Sequence, residues 1–439
     1  MCRASLRKRI FIMDIKALNT ETLSITIERE HCTGCMRCVR ICPTEALRVR
    51  NNVVQLNEDR CINCGRCIEA CTEDAIHENT TSVSVIYGYP YTVAVIPASY
   101  PVQFPEAIDY AASKKALYQI GFDYIAEEAM LADLKTSLIV DYVQNNPDIR
   151  PVISGNPAVL RLMQARFPSL LRNIANIDHP LNIIGGHYRD LVCREKGCPP
   201  EDVGVFLIAS CVSQISEVRR PDGLYPNLRD GAISFREIYR AVRGRTEDLL
   251  ADRREVDLYP AGLSLALADL EAEKAGEKGL KTLAVTGVGN VLDVLSRIEN
   301  QQLEGYDYIV LHCGINGQVG DSLNVENPCI AGGKVRNLVR KECGPGFDTE
   351  DLLRRSGNPG FAIKPLQPKQ VMQLDGNIAK ALEKIRKIQE IRNRLPGLDC
   401  AACGAPNCFA LAEDIFFGKA ELKDCVIHVK HLYDGVQRH

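Results

Sequence analysis

Twelve of the nineteen cysteines in this 439-residue chain fall into three spaced quartets, and that spacing constrains the fold more than any other feature. Cys32, Cys35, Cys38 and Cys42 read C-x2-C-x2-C-x3-C, with Pro43 next. Cys61, Cys64, Cys67 and Cys71 repeat the pattern 29 residues later. Cys400, Cys403, Cys408 and Cys425 stand near the end with the spacing C-x2-C-x4-C-x16-C. One short loop in a tight turn can present three thiolates to a compact inorganic core. The fourth must arrive from elsewhere, which ties two loops together. Zinc sites draw on two C-x2-C pairs or Cys/His mixtures rather than triple runs. A disulfide framework belongs to short secreted chains. The basic opening, residues 1–13, has only 10–13 as an apolar stretch, too short for a secretory signal.

The paired runs are similar to those of bacterial two-cluster ferredoxins, where the fourth cysteine of each run ligates the other cluster. The resemblance implies one 4Fe–4S cluster on Cys32, Cys35, Cys38 and Cys71, and a second on Cys61, Cys64, Cys67 and Cys42. It also implies a protein that carries electrons. An internal repeat agrees with it, since Thr44-Glu45-Ala46-Leu47 follows the first run as Thr72-Glu73-Asp74-Ala75-Ile76 follows the second. Each half is expected to end in a short helix and an extended segment, such as 47–49 and 82–86.

Around the third quartet, Cys403-Gly404-Ala405-Pro406-Asn407-Cys408, led by Leu395-Pro396-Gly397, is similar to the single-cluster domain of the corrinoid iron–sulfur protein and of electron-transport complex subunits. That implies a third 4Fe–4S cluster on Cys400, Cys403, Cys408 and Cys425, with a helix over 409–418 before the last ligand. Zinc or an unmetallated state are the competing readings.

Composition bounds the rest. The length suggests about two to four domains. Apolar content of 46% and charged content of 25% suit a soluble globular protein. A net charge of −3 argues against nucleic acid, and no run approaches the roughly 20 apolar residues of a membrane span. So many cysteines without a signal point to a reducing, cytoplasmic setting, that of an anaerobe if cubanes are exposed. Met13 is an alternative start.

The expected organisation is a leader over 1–24, a two-cluster ferredoxin domain over 25–80, an α/β body over 91–365, an amphipathic helix over 368–395 and a single-cluster domain over 396–439. In the body, apolar runs at 92–96, 205–208, 283–286 and 308–311 read as buried parallel strands. Helical patterns cover 104–120, 127–145, 158–166 and 290–299, and 230–242 reads as a strand and helix. Alternation of this kind argues for layered α/β architecture. The charged stretch 271–278 reads as a surface loop. Val371, Leu374, Ile378, Leu382, Ile385 and Ile388 make an apolar stripe opposite Lys380, Lys384, Arg386 and Lys387. That stripe is expected to face the body, with a partner subunit as the alternative.

The body, over 92–340, resembles the catalytic domain of iron-only (FeFe) hydrogenases. Val152-Ile153-Ser154-Gly155-Asn156-Pro157-Ala158-Val159 looks like that family's first active-site motif, Phe206-Leu207-Ile208-Ala209-Ser210-Cys211 like its second, and 308–325 with Glu326-Asn327-Pro328 like its third. The resemblance implies four cysteine ligands for an H-cluster. Here Asn156 stands at the first position, Cys211 and Cys313 at the second and third, and Gln318 near the bridging one. Gln214 replaces the second motif's lysine. A neutral amide oxygen cannot supply the soft anionic charge of a thiolate, so no intact H-cluster is expected. Cys193, Cys198 and Cys329 are possible substitutes; together with Cys211, Cys313 and Cys343 they otherwise read as small buried hydrophobes. Glu217 matches a carboxylate on the hydrogenase proton route. His312 and His187 read as structural or surface histidines. Thr286-Gly287-Val288-Gly289-Asn290-Val291-Leu292 lacks the third glycine of a dinucleotide fingerprint.

The expected fold is therefore α/β: a hydrogenase-like body with an N-terminal α+β dicluster ferredoxin domain and a small C-terminal iron–sulfur domain. The expected function is non-catalytic electron relay in a soluble, hetero-oligomeric redox complex, with hydrogenase or flavoprotein subunits or a ferredoxin as partners. A redox- or hydrogen-responsive regulatory subunit is the alternative, and an enzyme using a repurposed cavity the third reading.

Overall fold

The computed structural model describes residues 24–220, 223–243, 246–341, 347, 349–356, 361–369 and 377–430. The leader 1–23, Cys343, Val371 and Leu374 lie outside the described residues. The chain divides into two compact units: Ile25–His77 joins the segment after Pro368 in one, and Glu78–Gln367 forms the other.

The first unit begins with strand β1 (Ile25–Ile27), the helix Arg37–Ile41, strands β2 (Leu47–Arg50) and β3 (Val53–Leu56), the helix Arg66–Ala70 and strand β4 (Ile76–Glu78). Strand β1 lies beside β4, while β2 and β3 form an antiparallel hairpin with Leu47 opposite Leu56. The 29-residue repeat is written into the backbone. Gly34 and Asn63, Met36 and Gly65, and Glu45 and Asp74 all have left-handed φ values between 51° and 77°. Met36 and Gly65 are the residues from which the two short helices start. Those helices lie within the cysteine runs, ahead of the fourth cysteine. The strand of the second half is β4, and the stretch expected to be extended at 82–86 is instead the 3-10 helix Val83–Gly88.

The second unit carries two parallel sheets. One has the order β6-β5-β8-β9, built from β5 (Tyr91–Ile96), β6 (Tyr124–Glu127), β8 (Val203–Ala209) and β9 (Gly231–Ser234). The other has the order β10-β11-β7, from β7 (Val152–Gly155), β10 (Thr282–Thr286) and β11 (Tyr308–His312). Every residue of β8 is buried, as a central parallel strand covered on both faces must be. Two helices begin later than their apolar pattern suggests. Asp109 accepts from Ala112 N at 2.8 Å, so the helix Tyr110–Ile120 starts there rather than at 104. Residues 124–127 are drawn into the sheet as β6, which delays the next helix to Ala132–Asn145. The stretch 271–278, read as a loop, lies mostly in the helix Ala268–Glu277. Its small residues Ala272 and Ala275 are buried beside Ala268, and Glu271 points inward.

The C-terminal module contains the helices Ile378–Asn393 and Cys408–Phe416. Ile388 is fully buried with Leu395, Cys408, Leu411 and Cys425. The described helix therefore packs within this module, whereas its stripe was expected to face the α/β body; Leu382 and Ile385 on that stripe stay exposed. The module in turn docks on the ferredoxin-like part. Arg48 Nε and Arg50 Nη2 donate to Asp414 Oδ2 at 2.8 and 2.7 Å, and Arg60 pairs with Glu413 at 2.5 Å. Asn407 donates to Glu45 at 2.7 Å, and Val49 N donates to Gly404 O at 2.8 Å.

Gly404 is required at this contact. Its φ is +86°, and a Cβ there would lie 2.0 Å from Val49 O. Gly404→Ala is expected to destabilise the docked module by about 1–3 kcal/mol. Anaerobic thermal unfolding combined with limited proteolysis between 369 and 400 checks this, and unchanged resistance to cleavage would refute it.

Candidate functional site

Each ferredoxin-type cavity is lined by three cysteines of one run and one of the other. Cys32, Cys35, Cys38 and Cys71 surround a cavity of about 340 Å³ together with Val49, Val54 and Ile76. Cys42, Cys61, Cys64 and Cys67 surround one of about 330 Å³ together with Ile25, Leu47 and Leu56. The thiols also sense one another, mostly within these groupings, although Cys67 feels Cys38 of the other set as well. Burial, then Cys35, Cys32 and Cys71, push the Cys38 thiol up to about 11. Burial pushes Cys64 up to about 12, with Cys42 and Cys61 adding to it. Backbone N–H groups already point at the sulfurs: Ala46 N lies 3.2 Å from Cys42 Sγ, Ala75 N 3.3 Å from Cys71 Sγ and Val54 N 3.4 Å from Cys32 Sγ. Among the described residues, no three His, Cys, Asp or Glu side chains are grouped to hold a metal ion. Thiols ringing an apolar cavity, rather than converging on one point, suit a cluster better than a lone zinc.

The third quartet lies in the core of the C-terminal module. Cys408 and Cys425 are buried and Cys403 packs against them. Burial raises the Cys403 thiol, Cys425 adds to the rise and Arg50 opposes it. Two guanidiniums border this quartet: Arg40 Nη2 donates to Cys400 O at 2.7 Å and Arg50 Nη1 to Cys403 O at 3.0 Å. Neither arginine stands out in the sequence. Their partners lie more than 350 residues away, and the only local trace is Arg48-x-Arg50 on one strand.

In the body, a cavity of about 860 Å³ opens at the ends of β7 and β11, where Ser154, Gly155, Val310 and His312 line it. Asn156 and Gln318 both reach this cavity, but no cysteine is among its lining residues. Asn156 caps the helix Pro157–Arg166 by accepting from Val159 N at 3.2 Å. Gln318 sits in a glycine-rich turn and donates to Glu128 Oε2 at 2.7 Å. Cys211 is buried beside Ser213 Oγ at 3.1 Å, Cys313 is buried, and Cys329 is exposed. Cys193 and Cys198 lie at the end of the helix Pro180–Lys196, away from the cavity lining. These residues do not fit an H-cluster. Glu217 is held by Arg161 at 2.7 Å and by Leu224 N at 2.9 Å. His187 packs edge-on against Tyr188 and Phe347, whereas His312 is buried in the cavity wall, 3.5 Å from Asn156 Nδ2.

The chain is hydrogenase-like, with a ferredoxin-like N-terminal domain and iron–sulfur cluster domains in its N- and C-terminal regions. Residues 24–72 match the family model of the 4Fe-4S dicluster domain, 90–259 that of the iron only hydrogenase large subunit, C-terminal domain, and 395–427 that of an Fe-S cluster domain. Iron hydrogenase 1 of Clostridium pasteurianum is 25% identical over 225 residues, 48% of this chain and 36% of that protein. Subunit HndD of the NADP-reducing hydrogenase of Solidesulfovibrio fructosivorans is 23% identical over 334 residues, 72% of this chain and 52% of that protein. The chain thus spans about half or less of the length of these relatives. A variant of the FeFe-hydrogenase HydA1 from Chlamydomonas reinhardtii aligns with a TM-score of 0.48 at 13% identity, covering 66% of this chain and 95% of that one. Among the described residues, no helix is long and apolar enough to cross a membrane.

Burial pushes His312 down to about 4, with Lys135 adding to the shift and Glu271 opposing it. The folded state therefore rejects a proton that the unfolded chain accepts below its ordinary value near 6.5. The resulting stability is present above about pH 6.5 and is lost as pH falls towards about 4. Relative to His312→Gln, the wild-type body should lose on the order of 2 kcal/mol between about pH 7 and pH 4.5. Hydrogen exchange of peptides over 308–312 reads this separately from any cluster loss, and parallel pH profiles would refute it.

Proposed function

We propose that this chain is a non-catalytic relay subunit holding three 4Fe–4S clusters and passing electrons within a hydrogenase-type redox complex. The ligand sets are Cys32, Cys35, Cys38 and Cys71; Cys61, Cys64, Cys67 and Cys42; and Cys400, Cys403, Cys408 and Cys425. The observation that carries the reading is the docking of the C-terminal module on β2, which gathers all three cysteine sets into one unit. When bound, the clusters supply one-electron storage and exchange. The chain's own residues do the rest. N–H groups of Ala46, Ala75 and Val54 stabilise thiolate charge, and Arg40 and Arg50 set positive charge beside the third quartet. Hydrogen bonds and nearby charge of this kind tune cluster potentials.

The relay is tested by anaerobic stopped-flow reduction in the reconstituted partner complex. A Cys400→Ser/Cys403→Ser variant should lose about four irons per chain and slow partner turnover by at least ~10-fold, about 1.4 kcal/mol in barrier. Full turnover by that variant would overturn the relay and favour the regulatory reading, in which a cluster changes state without conducting.

We infer that the chain has no hydrogenase activity; the reading is supported by the body cavity, whose lining carries the amides Asn156 and Gln318 where the resemblance calls for cysteines that hold the cubane half of the H-cluster and bridge it to the two-iron subsite. The purified protein should neither evolve nor oxidise hydrogen, even after treatment with maturation factors. Turnover, or infrared bands of iron-bound CO and cyanide, would overturn that part of the reading.

A further inference from the structure

The body cavity is too well formed to be only the remnant of a lost centre. It lies at the carboxyl ends of the parallel strands β7 and β11, where open α/β sheets bind ligands. Ile139, Leu160, Ile174, Ile177 and Leu224 supply apolar wall, and the rings of His179 and Tyr225, 5.3 Å apart, form a tilted pair beside it.

The charged groups around it are committed. Lys135, the only lysine or arginine among its described lining residues, pairs with Glu271 at 2.8 Å. Glu271 also accepts from Tyr308 OH at 2.9 Å. The Asp178 carboxylate accepts from His179 N and Asn182 Nδ2, both at 2.7 Å. Asn182 is itself buried, so that carboxylate serves the fold. Burial holds His179 and His312 neutral. An anionic ligand would find no uncommitted cation among these described residues.

Two fully buried side-chain atoms of the described lining have no hydrogen-bond partner. Tyr225 is completely buried and its hydroxyl has no hydrogen-bond partner. Gln318 is 5% exposed, and its Oε1 has none either, because Nε2 is turned to Glu128. Buried polar atoms left unpaired are costly and rare. Both line this cavity. The turn that aims Gln318 is held by Gly320, where a Cβ would lie 2.1 Å from Ile315 O.

We propose that the cavity binds a small uncharged molecule with an apolar, preferably aromatic, body and one hydroxyl or equivalent group. That group donates to Gln318 Oε1 and accepts from Tyr225 OH. The proposal is independent of whether the clusters relay electrons.

The test is anaerobic isothermal titration of the full-length, cluster-loaded chain with phenol, its methyl ether anisole, and benzoate. Phenol should bind one per chain, anisole about 10-fold more weakly for want of the donor, and benzoate not measurably. Gln318→Leu and Tyr225→Phe should each weaken phenol about 10-fold while iron content stays that of wild type. Equal affinity for phenol and anisole would reduce the site to an apolar void. Tighter binding of benzoate would overturn the charge argument. No heat with phenol at about 10 mM would mean that water alone meets the polar pair. The ligand series on the unmodified protein decides between these outcomes even if a variant fails to fold. Iron content and partner reduction, measured alongside, tell failure here from failure of the relay.

Discussion

Crossed sharing of cysteines between two loops 29 residues apart is the constraint from which the N-terminal module follows. Cys71 lines the first cavity and Cys42 the second, so each cavity draws on both halves of the repeat. A module of some 50 residues has little apolar core, and chains of that size commonly need metals or other cross-links to hold a fold. The left-handed residues at Gly34 and Asn63, and again at Met36 and Gly65, turn the loop so that three thiols face one cavity. Strained positions recurring at one interval in two loops mark a geometry imposed by the shared ligand problem.

That module also offers the surface on which the C-terminal module is seated. Arg48 and Arg50 approach the same Asp414 oxygen, and all three side chains are largely removed from solvent. A partly buried pair is weak evidence for stability, since desolvation offsets much of the attraction. Its stronger role is to select one docking arrangement, because a lone carboxylate in that place would be poorly compensated. The backbone bond from Val49 to Gly404 fixes the register of the contact. Arg50 serves twice, reaching Asp414 with one nitrogen and Cys403 O with the other. The residue that orders the interface therefore also sits beside the third quartet.

Much of this was legible in the sequence, for reasons that differ by element. Cysteine spacing reports ligand geometry directly, so the quartets and their crossing could be read from residue numbers and the ferredoxin resemblance. Strands β5, β8 and β11 announced themselves as apolar runs because both their faces are covered, and the half-buried edge strand β10 was short but apolar enough to be read with them. Ala268–Glu277 did not, because its buried side is made of alanines and one inward glutamate, which weakens any apolar stripe. The seat of the C-terminal module was invisible for another reason. Arg48 and Asp414 are 366 residues apart, and each alone looks like an ordinary surface charge. The cavity is assembled likewise from Lys135, Asp178, Tyr225, Glu271 and Gln318, which share no local pattern.

Asn156 and Gln318 connect these themes. Both stand where the hydrogenase resemblance calls for thiolates, and both have taken structural work. Asn156 is among the best helix-capping residues, and here it starts the helix Pro157–Arg166. Gln318 gives the buried Glu128 a donor that a cysteine could supply only weakly. Glu128 Oε2 also takes Ala98 N, so the amide completes a small network joining β5's end to the glycine-rich turn. Cysteine at either position would thus remove a cap or take from the buried Glu128 carboxylate its side-chain amide donor, leaving it Ala98 N. The two positions are embedded in the fold through these partners, and a change of side chain at either would require changing the partners as well.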